Sequence, residues 1–178
     1  MADSATHQAD TQHSTEVGST ATGSTEVGSA TPELAIDDRE RKILECLQAH
    51  PVEWKWKRSR LIHGDFQIVK DGQVVVICER KTWKDLGSAF KDGRIWNLTR
   101  LKDWSTSATT VSPDIVLVMI LEGRRCGKRK RRGGVSEQVL QRLLDTLLLQ
   151  LNMHIHYTKS PEDTLSYLGE WMVELNSC

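Results

Sequence analysis

Val74-Val75-Val76-Ile77-Cys78-Glu79-Arg80-Lys81 is the stretch on which the reading of this chain turns. Five apolar residues run directly into three charged ones. If the stretch is a strand, its period of two puts Val75, Ile77, Glu79 and Lys81 on one face and Arg80 on the other. A carboxylate and an ammonium then leave a buried strand side by side. Charge at such a place is costly unless it is paired, hydrated or bound to a metal. A functional cluster is one explanation, and a strand-end salt bridge without a catalytic role is the other.

Upstream, Leu61 to Val69 and Gln73 to Cys78 read as two strands joined at Lys70-Asp71-Gly72, a strong hairpin signal. Asp65 is the natural partner of Glu79, and register decides whether they meet. A strict two-residue turn at Asp71-Gly72 sets Asp65 opposite Cys78 and turns it away, because one residue of slip exchanges the faces. A three-residue loop, closed by Gly72 in a left-handed bulge, sets Asp65 opposite Ile77 and makes the two carboxylates diagonal neighbours. The bulged hairpin is therefore expected.

Two hard carboxylates with a lysine beside them suit Mg²⁺ or Mn²⁺ better than zinc. Such a cation polarises a phosphodiester and acidifies the attacking water. Lys81 would orient that water or stabilise the charge growing on the phosphate, and Asp37 is a candidate third carboxylate. Cleavage of nucleic acid is the implied reaction.

Outside this region the apolar pattern predicts an α/β layered domain. A short strand, Leu34 to Ile36, precedes a helix with Asp38 as its expected N-cap and His50-Pro51 as its stop. Val52 to Lys57 alternates strictly, as a half-buried strand would, with Val52, Trp54 and Trp56 on one face. After Lys81 come two helical stretches separated by a turn at Asp92-Gly93-Arg94, then Asp114 to Leu121 as a central strand apolar on both faces. A helix from about Val135 to Leu151, a strand from Met153 to Tyr157 and a helix from about Pro161 to Leu175 complete the order.

The chain has 178 residues with 24 basic and 24 acidic side chains, but residues 1–35 hold five acids and no Lys or Arg. The remainder therefore has 24 basic against 19 acidic side chains, a net +5. Residues 1–32, rich in Ser, Thr, Ala and Gly and carrying STEVGS twice, read as a low-complexity tail that cannot build a core. Residues 33–178 read as the folded domain. The longest apolar run, Ile115 to Leu121, has seven residues. A spanning helix needs about 20, so no membrane segment is expected. Four scattered cysteines without a CxxC pair argue against a disulfide scaffold or a zinc site and for an intracellular protein.

In order along the chain, Asp37-Asp38-Arg39-Glu40, Gly64-Asp65-Phe66, Glu79-Arg80-Lys81 with Asp85 four residues on, and Asp92-Gly93-Arg94 resemble the XPF family of structure-specific endonucleases. The similarity covers about residues 33–175, the nuclease domain of that family, within the restriction-endonuclease-like superfamily. It implies a three-layer fold with a central mixed sheet between helices, a divalent metal, attack by water on the DNA backbone, and preference for flaps, forks or nicked junctions. Carried over by position, Asp65 and Glu79 match the metal ligands, Lys81 the catalytic lysine, and Arg80 and Asp85 the remaining catalytic signature. Asp37, Arg39 and Glu40 match the family's D-x-R-E strand end. Ile95-Trp96-Asn97-Leu98 stands where many members have a glutamine, and no helix-hairpin-helix module follows.

Plainer roles compete. Thr82-x-x-Asp85 fits a helix start, and Arg80 is expected to pair with an acid behind the site. Arg39 and Arg94 are candidate phosphate contacts. So is the run Arg124 to Arg132, seven basic residues in nine, which includes Lys128, Arg129, Lys130, Arg131 and Arg132. That run reads equally as a nuclear import signal or a solvated loop. Surplus leucine around Val139 to Leu151 and in the last helix suggests a homodimer, or a heterodimer with a related subunit. The functional expectation is a metal-dependent endonuclease acting on branched DNA, with an inactive DNA-binding scaffold subunit or a junction resolvase as alternatives.

Overall fold

The computed structural model describes residues 31–124 and 135–177. Nearly all of the expected tail and the whole of Lys128 to Arg132 lie outside the described residues. The elements are β1 (Glu33–Asp37), α1 (Arg41–Ala49), β2 (Lys55–Ser59), β3 (Phe66–Lys70), β4 (Gln73–Thr82), α2 (Trp83–Lys91), α3 (Asn97–Ser107), β5 (Val111–Glu122), α4 (Glu137–Leu151), β6 (Met153–Thr158) and α5 (Pro161–Ser177), with one 3-10 turn at Arg94–Trp96.

The strands form one mixed sheet in the order β2-β1-β3-β4-β5-β6. β3 is antiparallel to β1 and β4, and the other pairings are parallel. Five strands therefore point one way. The carboxyl ends of β1, β4, β5 and β6 share one edge of the sheet with the start of β3. That edge gathers Asp37, Asp65, Glu79 to Lys81, Glu122 and Thr158.

Helices cover both faces, as the apolar pattern of β5 requires. Val76, Cys78, Val118 and Ile120 pack with Ile43 and Leu47 of α1 and Leu165 and Leu168 of α5. On the other face, Ile77, Leu117, Met119 and Leu121 pack with Leu86 of α2, Leu98 of α3 and Leu140 and Leu144 of α4. Met119, Ile120 and Leu121 are fully buried. Each such side chain contributes roughly 1.5–3 kcal/mol, and this double burial fixes the position of β4 beside β5.

The hairpin differs from expectation in an instructive way. Lys70 pairs with Gln73, so the turn is the two-residue Asp71-Gly72, with φ of 51° and 77°. The extra residue lies within β4: Val69 pairs with Val74 and Ile68 with Val76, which leaves Val75 as a bulge. Val75 accordingly packs with the α1–α5 side, not on the face of Ile77. Beyond the bulge Phe66 pairs with Cys78. Asp65 lies one residue before β3, outside the ladder, where its amide meets the Cys78 carbonyl and its carboxyl feels the Glu79 charge.

Three other expectations are corrected. The alternating segment Val52 to Lys57 is only partly strand: Val52 and Trp54 pack on the α1–α5 cluster before β2 starts, and Trp56 is 37 % exposed on an edge strand. Leu61 to Asp65 is a loop. The Leu61 amide donates to Asp37 Oδ2, and Gly64 turns the chain at φ +70°. The N-cap of α1 is Glu40 instead of Asp38, and its side chain makes no capping bond because it is bound to Arg80.

A Cβ at Gly64 would stand 2.5 Å from Ile77 Cγ2 and 3.0 Å from the Cys78 carbonyl oxygen. A Cβ at Gly72 meets no atom within 4 Å. Gly64→Ala should therefore cost about 2 kcal/mol or more, whereas Gly72→Ala should cost about 1 kcal/mol from its left-handed backbone alone. Urea midpoints at unchanged slope measure both.

Candidate active site at the carboxyl edge of the sheet

Asp65 is held by its backbone before its side chain is considered. Its amide donates to the Cys78 carbonyl at 2.8 Å, and its carbonyl accepts from the Asp37 amide at 2.9 Å. The residue thus bridges β1 and β4 just before β3 begins. Its carboxylate accepts the Arg80 amide at 2.7 Å through Oδ2. Lys81 donates from Nζ to Glu79 Oε1 at 2.6 Å, and both side chains are about one-fifth exposed. Asp65, Glu79 and Lys81 come together at the edge as the period of two required.

Burial, then the nearby Glu79 charge, pushes the Asp65 carboxyl up to about 7 against the opposing hydrogen bond from Arg80. Two neighbouring carboxylates cannot both ionise cheaply.

On the reverse face, Arg80 is almost enclosed. Its guanidinium grips Glu122 with Nε and Nη2, at 2.8 and 2.5 Å, and reaches Glu40 with Nη1 at 2.7 Å. Thr164 Oγ1 of α5 donates to Glu122 at 3.1 Å and lies 2.8 Å from Thr158 Oγ1 of β6. One arginine therefore ties the approach to α1 to β4 and β5, and through Glu122 to α5. The side chain lies away from the Asp65–Glu79 pair, while its amide positions Asp65.

Asp37 is fully buried, and protein donors occupy its carboxylate. Oδ1 accepts the Arg39 amide and Arg39 Nε, and Oδ2 accepts Arg39 Nη2 and the Leu61 amide, at 2.5 to 3.0 Å. Burial works upward on this group, but the hydrogen bonds from Arg39 and Leu61 outweigh it and lower its pKa to about 2. With both oxygens so engaged, Asp37 acts as a clamp on the loop before Asp65. Among the described residues no set of three metal-ligating side chains converges. Arg39 remains 56 % exposed despite this bidentate pair. Arg94, which pairs with Asp92 at 2.8 Å, is 62 % exposed. Asp85 serves the start of α2: its amide donates to Thr82 Oγ1 of the N-cap at 3.1 Å, and its carboxylate accepts from the same hydroxyl at 2.7 Å.

Sequence reasoning passed over two sets of residues here. Glu122 had a readable signal, an acid directly after the apolar run of β5, as Glu79 follows that of β4. The cavity beside Glu79, about 280 Å³ and bordered by Ile62, His63, Asn97 and Arg100, had none. It forms only when α3 folds back over the loop before Asp65.

The sheet order, the two-sided helical cover and the charged edge define a domain with the XPF nuclease fold. The chain belongs to the ERCC4 domain family, whose model matches residues 36–170. No curated protein matches it in sequence. Among solved structures it is similar to XPF from Aeropyrum pernix, with 23 % identity over 82 % of this chain and 62 % of that one, at a TM-score of 0.60. The same archaeal protein in complex with DNA gives 23 % identity over 82 % of this chain and 64 % of that one, at a TM-score of 0.55. The chain thus spans less than two thirds of the length of either.

The raised Asp65 pKa makes a signed prediction. The unfolded carboxyl ionises near 3.8 and the folded one near 7, so the folded state holds the proton more tightly. Stability from this group is full below the lower value and falls as pH rises through the upper one. Asp65→Asn keeps an acceptor for the Arg80 amide. In chelator-treated protein it should raise Tm by about 2–4 °C at pH 8, and the gain should vanish toward pH 4. Thermal scans across pH test this.

Proposed function

We propose that this domain is a divalent-metal-dependent DNA endonuclease that hydrolyses phosphodiester bonds in branched DNA such as flaps, forks and nicked or intact junctions. One observation carries the reading. The Asp65 carboxyl, bound to the Arg80 amide, lies close enough to Glu79 to feel its charge, with the Lys81 ammonium 2.6 Å from Glu79. Membership of the ERCC4 domain family supports it, as does the likeness to an XPF protein solved with DNA.

The donor set fits Mg²⁺ or Mn²⁺. Asp65 uses one oxygen for the Arg80 amide and Glu79 one for Lys81. Among the described residues their second oxygens have no protein donor. Hard carboxylate oxygens match an ion that keeps several waters. When bound there, the cation supplies Lewis acidity to the phosphodiester and acidifies the attacking water.

The chain's own residues do the remainder. Asp65, fixed by three backbone hydrogen bonds, needs no reorganisation to bind. Lys81 places positive charge where it builds on the phosphate as water attacks and the P–O bond breaks. Arg80 braces the strand from behind. Arg39, Arg94 and the run Lys128 to Arg132 are the proposed phosphate contacts, which would make affinity fall steeply with salt. Leu148 and Leu149 of α4 and Val173 of α5, 47 %, 81 % and 64 % exposed, are the proposed seats of a homodimer or heterodimer.

The test is cleavage of labelled flap, fork, junction and linear duplexes in Mg²⁺ or Mn²⁺. Branched substrates should be cut, and Asp65→Ala and Lys81→Ala should each lose about 10²-fold or more. Cutting that persists in both variants refutes the assignment, and no cutting of any substrate contradicts the enzyme.

A further inference from the structure

Ile62 is the most exposed large apolar side chain among the described residues, at 88 %. Single exposed apolar residues are ordinary on protein surfaces. What sets Ile62 apart is that its neighbours are fixed. Leu61 is 8 % exposed, its amide is held by Asp37 Oδ2 at 2.8 Å, and its carbonyl accepts from Arg39 at 3.2 Å. The His63 carbonyl accepts from Gln67 at 2.8 Å, and its imidazole stacks on Trp104 of α3 with centroids 4.5 Å apart. Gly64 then turns at φ +70° against Ile77, where no Cβ fits. The loop cannot fold Ile62 inward without breaking one of these contacts.

This fixed side chain stands on the lip of the cavity that contains Glu79. Across the cavity, α3 presents the exposed Asn97 amide and the exposed Arg100 guanidinium, which has no ion pair among the described residues. The cavity therefore adjoins the candidate active site and combines a cation, an amide, a stacked aromatic pair and an apolar tip.

We propose that Ile62 is an apolar wedge that enters the base step flanking the scissile phosphate, with Arg100 on the neighbouring phosphate. This deepens the nuclease reading and rests on it. A backbone phosphate near Glu79 offers Ile62 nothing apolar to cover, whereas an unstacked base step does. Isoleucine is among the side chains that proteins insert between bases, at an unstacking cost of a few kcal/mol per step in continuous duplex. That cost is smaller where a nick or branch has already interrupted stacking. Ile62 thereby favours discontinuous DNA over intact duplex without reading sequence.

The experiment places 2-aminopurine at the branch step of a flap and follows its emission as full-length protein is added in Ca²⁺, with binding measured separately by anisotropy. Wild type should raise emission about threefold at saturation. Ile62→Ala, at so exposed a position, should fold and bind normally yet leave emission near the free-DNA value, and Ile62→Leu should restore the rise. Asp65→Asn should lose cleavage in Mg²⁺ yet keep the rise, which separates the wedge from the chemistry. An equal rise in Ile62→Ala, or none in wild type bound at saturation, overturns the wedge alone. Failure of wild type to bind any DNA overturns the nuclease reading and the wedge with it.

Discussion

Opposite Val69 and Ile68 of β3, β4 carries three residues, Val74 to Val76, where a regular ladder would carry two. Everything at the carboxyl edge depends on that surplus. Without it the two-residue turn at Asp71-Gly72 would set Asp65 opposite Cys78, whose side chain faces the α1–α5 layer. With it, Phe66 opposes Cys78, and Asp65, just before β3, accepts the Arg80 amide through its carboxylate. A bulge near an active site that re-aims a side chain is a recurrent device in sheets. Here it acts about four residues from the chemistry, which leaves the strand end regular and its charges in fixed alternation.

That alternation divides the labour of three consecutive charged residues. Glu79 and Lys81 face the site, while Arg80 faces the other layer and binds Glu40 and Glu122. The front is poised for an external partner and holds two acids against one lysine, with the Asp65 carboxyl pushed up accordingly. The back holds one arginine between two acids and is self-sufficient, with every buried polar side-chain atom among the described residues satisfied. Such placing of unrelieved charge only where a ligand can relieve it is the usual trade of stability against function. Glu40 shows the same trade on a smaller scale. Serving Arg80 leaves the start of α1 without a side-chain cap, an omission worth about 1 kcal/mol.

The layers were legible from patterning, because β5 is apolar on both faces and the later helices have clear stripes. The grouping of Asp65, Glu79 and Lys81 was legible from a period of two and a hairpin. The location of the compensating bulge was not, since nothing in Gln73 to Ile77 distinguishes Val75 from its valine neighbours. Nor was the role of Asp37 readable from the strand end alone. A buried carboxylate can bind a cation or clamp a loop, and the choice rests on Leu61, twenty-four residues away. The cavity bordered by Ile62 and Arg100 depends on the packing of α3 over that loop, a long-range contact that no local pattern records.

The account stands on Asp65 and Glu79 sharing one hard cation. Its most direct measurement is Mn²⁺ binding followed by electron paramagnetic resonance in purified protein, for wild type, Asp65→Asn, Glu79→Gln and the double variant. One bound ion in wild type, lost to a similar degree in either single variant with little further loss in the double, is the expected result. Binding that survives both substitutions, or single losses that simply add as for two separate sites, contradicts it.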